Sequence, residues 1–512
     1  MTSNSQAIIQ DIRADFEKVL EYVTGEEARK ATADTTERGL FKMLIEMGLK
    51  LLTLFFEMRS QNATRENLIL ADGRVVRYHR DTPRRYVSIF GKLHFARPYF
   101  YCRGQGGQAP LDADLSLGED CYSDLVREVH DYLSVQGVYH KACEIVGRLL
   151  GLTLSTRALQ SNVAEDAREV STYYEQKPAP VPESEAAILV VQADGKGVPL
   201  ILEKAQPDKV RLGKGEKHGR KKEAIVTSVY SIAPASRTPE QVVASYYDQT
   251  SLSKPAQPQN KRLWATLDGK DAALSRLTIQ VHLRTGQHIQ HKIALCDGCP
   301  SLQARLTHYF SDFIQILDFI HANEYLWKVA NALFGETDER RVDWMKQHTL
   351  QLLSGKTKRL IAEFRKLAKQ PKTRKTARTQ LLTTANYFER NLPFMDYPTY
   401  LAHGYPIASG VIEGACRHLV KDRCELSGMR WSQSGAENLL RLRSVAENND
   451  WEDYHVYRKQ QRHLRLYGSL PLRLPPTEMQ SLVVAQPAPQ MLVEQPSPSQ
   501  HATAYARLPL AI

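Results

Sequence analysis

The sequence predicts an α/β protein: a mainly helical N-terminal region with a β-hairpin precedes a sheet-containing core, and a long helical stretch interrupts that core. Three observations predict it. Apolar residues recur at three- and four-residue spacing through GLFKMLIEMGLKLLTLFFEM (39–58), the period of one buried helical face. AILVVQAD (187–194), KKEAIVTSVYSI (221–232), KRLWATLDG (261–269) and HIQHKIALCDG (288–298) have the length and apolar, β-branched content of buried strands. Helical patterning then takes over from roughly 300 to 395 and resumes after Ser409.

Taken in order, residues 1–70 read as helix. VVRYHRDTPRRYVSIFGKLHFARPYFYC (75–102) is rich in β-branched and aromatic residues and breaks at Gly91-Lys92, the pattern of a hairpin. Residues 120–172 return to helix, and HKACEIVGRLLG, LTLS and TRALQSNVAEDAREV within them fit a helix–turn–helix, a pairing that any helical domain can also contain. QKPAPVPES (176–184) reads as a linker. From about Pro471 the chain becomes rich in Pro, Gln and Ser, a composition that buries no core, so 469–512 is expected to be a disordered tail.

Composition limits the partners. With 42% hydrophobic and 24% charged residues, the 512-residue chain is ordinary for a globular protein. Its 68 Lys and Arg against 57 Asp and Glu give a net charge of +11, which favours a polyanion, either nucleic acid or an acidic membrane face. Lys42, Glu46 and Lys50 interrupt the most apolar stretch every four residues, so it makes an amphipathic helix and not a membrane span. Seven irregularly spaced cysteines, at 102, 121, 143, 296, 299, 416 and 424, do not make a disulfide framework, and the polar N-terminus shows no leader pattern. A cytoplasmic location is expected.

Two of the apolar runs close on acids, Asp194-Gly195 and Asp297-Gly298. An acid where a buried strand opens into a loop can hold a divalent cation. A plain Asp-Gly turn is the competing reading, and Asp268-Gly269 shows how common the dipeptide is. A third element, GYPIASGVIEGACRHLVKDRCELSGMRWSQSGAENLLRLRS (404–444), places Glu413 in the first turn of a helix among the cations Arg417, Lys421, Arg423 and Arg430. Carboxylates from two strand ends and a helix can bind two Mg²⁺ ions about 4 Å apart, an arrangement that activates an attacking oxygen at a phosphodiester. Oxygen-only ligands suit Mg²⁺ or Mn²⁺ better than zinc.

These blocks resemble the DDE transposases of bacterial insertion sequences, specifically the ISKra group, which are distantly akin to the eukaryotic Mutator-like transposases. ILVVQADGKGV resembles the first-Asp strand and IALCDG the second. QILDFIHANEYLW (315–327) resembles the block that follows, with Asp318 and His321 as its D-x-x-H signature. YFERNLPFMDY (387–397) resembles the end of a helical insertion, and YPIASGVIEGACRHLVKDRCELSGMRWS the catalytic-Glu block. The matches span roughly 80–445. They imply an RNase H-like mixed-sheet core (185–322, completed by 404–468) with an all-helical insertion (323–403), behind an N-terminal end-binding and oligomerisation region (1–175). The interval from Asp297 to Glu413 is in any case too long for a bare core.

The resemblance implies Asp194, Asp297 and Glu413 as catalytic, metal-binding residues, with cleavage at element ends followed by 3′-OH attack on target DNA. Synapsis of two ends implies at least a homodimer, nucleoid-associated in a bacterium, although the sequence shows no interface. Two departures are visible. DGCPSLQARL lacks the Trp often found after the second Asp, and Cys102 stands without the paired-Cys knuckle of relatives, so no zinc ribbon is expected.

Other features carry two readings each. Cys296-Asp297-Gly298-Cys299 has half-site zinc spacing but no second pair, so it is expected to pack the strand end. Asp318 and His321 share a helical face, either beside the site or as a satisfied surface pair, and are not expected to be metal ligands. Trp431 and Tyr405 fit either stacking on an end base or core packing. PDKVRLGKGEKHGRKKEA (207–224), with Lys214, Lys217, Arg220 and Lys221, and SGKTKRLIAEFRKLAKQPKTRKTAR (354–378) are solvated basic runs that suit phosphate contact beside an acidic site. The alternatives to a transposase are an RNase H-fold nuclease without strand transfer and a catalytically idle, transposon-derived DNA-binding protein.

Overall fold

The computed structural model describes residues 3–69, 75–102, 106–201, 221–248, 256–425 and 428–468. The N-terminal region opens with a helical hairpin, α1 (Ser3–Thr24) and α2 (Ala33–Asn62). Thr32 caps α2 by accepting the Thr35 N–H, and the Lys50 ammonium meets Asp15 across the hairpin at 2.5 Å. A four-stranded antiparallel sheet follows: β1 (Leu68–Ile69), β2 (Val75–Ser88), β3 (Gly91–Cys102) and β4 (Gly106–Gln108). β2 and β3 form the predicted hairpin, turning at Ile89-Phe90, two residues before the expected Gly91-Lys92 break, with Gly91 opening β3; Phe56 of α2 packs on Leu93 and Phe95 of β3.

Short helices α3 (Pro110–Asp114), α4 (Asp124–Gln136), α5 (Tyr139–Leu150), α6 (Thr156–Asp166) and α7 (Val170–Gln176) complete this region. The α5–α6 pair is the predicted helix–turn–helix, and Gly151 ends α5 at φ +65°, a left-handed cap that glycine adopts without strain.

The protein is mixed α/β, with a mixed five-stranded sheet at its centre. β5 (Ile188–Pro199) lies between β6 (Lys221–Ile232), antiparallel to it, and β8 (His291–Cys296), parallel to it. β7 (Gln259–Thr266) adds antiparallel to β6, and β9 (Ile314–Leu317) parallel to β8. The order is therefore β7-β6-β5-β8-β9. Residues 188–193 of β5 are all buried, which is why that stretch reads as continuously apolar where a half-exposed strand would alternate.

Helices cover both faces. α8 (Pro239–Tyr247) lies between β6 and β7 in the chain; α9 (Lys270–Arg284) and α10 (Pro300–Tyr309) pack Leu274, Leu277, Leu302 and Leu306 on Leu189, Val191 and Ala294. The other face, carrying Val190, Ile293 and Leu295, meets an all-helical insertion: α11 (Phe319–Phe334), α12 (Arg340–Leu353), α13 (Thr357–Lys369), α14 (Lys375–Asn391) and α15 (Tyr397–Ala402). The chain returns through α16 (Gly410–Ala415), a π-helical turn at Cys416–Lys421, α17 (Asp422–Cys424), α18 (Gln433–Glu447) and α19 (Trp451–Tyr467).

Three expectations are corrected. β9 lies inside the stretch expected to be helical from about 300; at four residues it is too short to show a period. β5 does not stop at Asp194 but runs five residues further, because β6 continues to pair with it to Pro199. Segment 176–184 does not separate independent cores: Val135, Val163, Val170 and Tyr173 before it share one apolar cluster with Val226, Trp264, Leu439 and Tyr454 after it. Its prolines lie along that seam, where the Arg262 guanidinium donates to the Pro178 carbonyl.

The same seam holds a buried ionic cluster. Asp166, wholly buried, accepts from Arg127 (2.5 and 2.9 Å) and Arg458 (2.5 Å). Arg458 and Arg462 also engage Asp124, and Arg127 engages Asp120. Asp131 lies beside Asp166; burial and the Asp166 charge push its carboxyl well above the usual carboxylate range.

Candidate functional site

Sheet register brings the first two predicted acids together. The last parallel pair between β5 and β8 is Gln192 with Leu295, so Asp194 and Asp297 each lie two residues further along neighbouring strands. A two-residue step keeps the face of the sheet, here the face of Val190, Ile293 and Leu295. The next pair over, Cys296 with Leu317, places Asp318 immediately after β9, beside Asp297. Asp297 and Asp318 thus follow the carboxyl ends of β8 and β9, and Asp194 lies on β5 just past its last pairing with β8, at the edge where ligand sites of open α/β sheets form.

Each acid is fixed differently. Asp194 accepts its neighbour Gly195 N–H at 2.6 Å and the Cys416 thiol at 3.4 Å. Burial, reinforced by the Asp297 charge, raises its carboxyl above the usual range. At Gly195 an added Cβ would lie 2.3 Å from the Glu223 carboxylate of β6, whose side chain would have to swing aside. Asp297 accepts the Cys299 N–H at 2.9 Å, and α14 buttresses its loop: the Tyr387 hydroxyl donates to the Asp297 carbonyl at 2.8 Å and Arg390 to that of Gly298. Gly298 sits at φ +84°, and an added Cβ would lie 2.7 Å from the Tyr387 hydroxyl. Asp-Gly is a turn at Asp268-Gly269, which starts α9, but not at Asp194-Gly195, which is strand.

Asp318 is fully buried and its carboxylate is saturated. It accepts from Ile320 N–H (3.0 Å), Ser409 N–H (3.2 Å), the Ser409 hydroxyl (2.6 Å) and His321 Nδ1 (2.6 Å). It caps α11, so the pair with His321 is a cap-and-first-turn contact at the site and not a surface pair. The Asp318 carboxylate, outweighing burial, raises the His321 imidazole to about 9. The Ser409 hydroxyl also lies 3.1 Å from Glu413 Oε1, and His321 Nδ1 lies 4.0 Å from the same oxygen. Glu413 is in the first turn of α16, as expected, with its side chain 44% exposed. Sequence reasoning misses Ser409 and Cys416; the four-residue step from Ser409 to Glu413, one helical turn, is the available signal.

Among the described residues, Asp318, His321 and Glu413 can bring one ligand atom each within 4.8 Å of one another, and this triad could hold a metal ion. The expected set of Asp194, Asp297 and Glu413 is more open than that. No cation among the described residues lies within ion-pair distance of Asp194 or Asp297. Two half-buried carboxylates that repel one another, with only the His321 imidazolium near them, fit an added cation, because the alternative is protonation.

The basic residues divide. Arg417 and Lys421 are exposed on the turn after Glu413, and Arg430 is exposed beyond it. Lys221 opens β6 and pairs with Glu425 at 2.5 Å. Arg423 is buried: it donates to the Ser134 carbonyl and its guanidinium lies 4.8 Å from the Trp431 ring, so it cannot serve as a phosphate contact. Lys214, Lys217 and Arg220 lie outside the described residues. In the second basic run, Lys358, Lys366, Lys369, Lys372, Arg374, Lys375 and Arg378 are exposed.

The aromatic pair belongs to the core. Trp431 is buried with its indole N–H on the Cys424 carbonyl, and Tyr405 is buried against His291. Cys296 is buried at the strand end, its thiol pushed up to about 12 by burial. No described helix is long and apolar enough to cross a membrane. No protein-family model matches the chain, and no curated protein sequence resembles it significantly.

Proposed function

We propose that the protein is a DDE transposase with an RNase H-like core, of the kind its sequence blocks resemble. The observation that carries this reading is the matched register of Asp194 and Asp297 on neighbouring parallel strands, with Glu413 supplied from a helix packed on β5 and β6. The sheet order, three antiparallel strands continued by two parallel ones, and the helical insertion between Asp297 and Glu413 support it.

In this reading Asp194, Asp297 and Glu413 hold divalent cations, with Mg²⁺ or Mn²⁺ preferred for the carboxylates. Bound ions of this type supply activation of the attacking oxygen and charge stabilisation of the leaving one. The chain's own residues do the positioning. Tyr387 and Arg390 fix the Asp297 loop, Cys416 and the Gly195 amide fix Asp194, and Ser409 ties Glu413 to the buried Asp318. Arg417, Lys421, Arg430 and the exposed face of α13 and α14 offset the acids' repulsion of DNA by contacting phosphates, without reading sequence.

The test is an excision and integration assay on a donor plasmid carrying the gene with its native flanks, comparing the parent with Asp194→Asn, Asp297→Asn and Glu413→Gln. New junctions from the parent and none from folded variants are expected. Cut but unjoined ends would identify a nuclease instead, and no products even from the folded parent would identify an idle DNA-binding protein. Glu413→Gln is expected to leave DNA binding intact, since it removes a carboxylate and no phosphate contact.

A further inference from the structure

Asp318 uses its two carboxylate oxygens differently. Oδ1 accepts backbone donors alone, the Ile320 and Ser409 amides at 3.0 and 3.2 Å. Oδ2 meets side chains alone, His321 Nδ1 and the Ser409 hydroxyl, each at 2.6 Å. The first oxygen is anchored by the main chain, and the second faces groups that can exchange. Metal-ligating carboxylates are held in this way, by hydrogen bonds behind the oxygen that binds.

The backbone fixes the remaining members of the cluster. His321 lies in the first turn of α11 and Glu413 in the first turn of α16, and the Phe319 N–H donates to the Ile407 carbonyl at 2.8 Å, so the two helix starts are tied to one another. His321 Nδ1 therefore faces both acids, 2.6 Å from Asp318 Oδ2 and 4.0 Å from Glu413 Oε1. Glu413 is the exposed member, which leaves an ion a way in from solvent.

The donor set selects the ion. Around a tetrahedral ion with bonds of about 2.0–2.1 Å, ligand atoms stand about 3.3 Å apart. The observed separations of 2.6 and 4.0 Å lie on either side of that spacing. One imidazole nitrogen with two carboxylate oxygens suits zinc, whereas Mg²⁺ prefers oxygen alone and keeps much of its water. The ion takes the place of the Nδ1 proton, which leaves to solvent. The fourth position falls to water or to the Ser409 hydroxyl, 3.1 Å from Glu413 Oε1. Asp194 and Asp297 offer no nitrogen and take no part in this set.

We propose that Asp318, His321 and Glu413 form a zinc site, and that zinc bound there withholds Glu413 from the Asp194–Asp297 pair. The site stands whatever the protein does; the withholding rests on the proposed carboxylate set. Zinc titration of the metal-stripped full chain against a chromophoric chelator tests both. The wild type is expected to take up one ion per chain. His321→Gln is expected to bind it roughly 100-fold more weakly or worse, since losing a ligand costs at least as much as losing a supporting contact. Glu413→Gln, a change at an exposed position that leaves the fold intact, is expected to lose affinity likewise. Asp194→Asn and Asp297→Asn are expected to bind zinc as the wild type does. Cobalt, which absorbs visible light where zinc is silent, gives a second readout, a four-coordinate spectrum that His321→Gln lacks. A wild type without stoichiometric zinc, or uptake undiminished in folded His321→Gln and Glu413→Gln, would overturn the site. So would loss of zinc in Asp194→Asn, which would place the ion on the strand-end acids. Mg²⁺ is expected to weaken zinc uptake by the wild type but not by Asp194→Asn; zinc affinity that ignores Mg²⁺ in both would refute the withholding of Glu413.

Discussion

Two regions of the molecule gather carboxylates, and they treat them in opposite ways. In the seam between α4, α6 and α19, Asp120, Asp124 and Asp166 each meet one or two arginines, and only Asp131 lacks one. At the sheet edge, Asp194 and Asp297 meet amides and a thiol but no cation among the described residues. The first arrangement is complete as it stands. The second has only the His321 imidazolium near its carboxylates, at the place where sheet topology can offer a ligand site, and that difference in charge balance sets the two clusters apart.

The comparison breaks first if the arginine-matched cluster proves dispensable. Asp166→Asn is expected to cost about 3–5 kcal/mol by chemical denaturation, because it removes the one wholly buried charge that Arg127 and Arg458 share. It sharpens if divalent ions act on the other cluster alone. Mg²⁺ or Mn²⁺ at 100 times its dissociation constant is expected to add about 2.7 kcal/mol to folding stability, an effect lost in Asp194→Asn and kept in Asp131→Asn.

His321 supplies a smaller, pH-dependent difference. Its folded-state pKa, about 9, lies above its ordinary value, so its contribution is full below about pH 6.5 and disappears as pH rises through 9. Allowing for its partial exposure this is about 2 kcal/mol in the metal-free protein, and His321→Gln is expected to remove that slope from denaturation midpoints measured across the range. Asp194 runs the same way in a more acidic window. Its carboxyl is raised, so the metal-free protein gains stability as pH falls through that raised value towards the ordinary carboxylate range, and Asp194→Asn flattens the gain. Smallest of all, Asp131→Asn is expected to change stability by less than about 1 kcal/mol, since burial already favours the neutral form.

Much of this is legible in the sequence, for identifiable reasons. β6 is bounded to the residue because its apolar run is long and flanked by charge, and Asp194, Asp297 and Glu413 stand out because each closes or opens a strongly patterned element. β9 does not, being four residues beside a helix, so the place of Asp318 at a third strand end is also missed. Arg423 looks like its cationic neighbours, and only the packing of Tyr139 and Trp431 around it shows that it faces inward. The ionic seam joins residues some 290 positions apart, beyond the reach of local pattern. Phe16 of α1 and Phe41 of α2, half-exposed in the structure, read as ordinary core positions, because periodicity states that a face is apolar without stating what covers it.

β5 carries Asp194 on the central strand of the sheet, with six consecutive buried residues leading up to it and neighbours hydrogen-bonded on both sides. Glu413 stands instead on a six-residue helix that widens at once into a π-helical turn. In amide hydrogen exchange the two elements would therefore keep different time: the strand releases its protons only with global unfolding, while the helix opens locally and often. Of the two acids, Asp194 thus rests on a fixed support and Glu413 on one that yields.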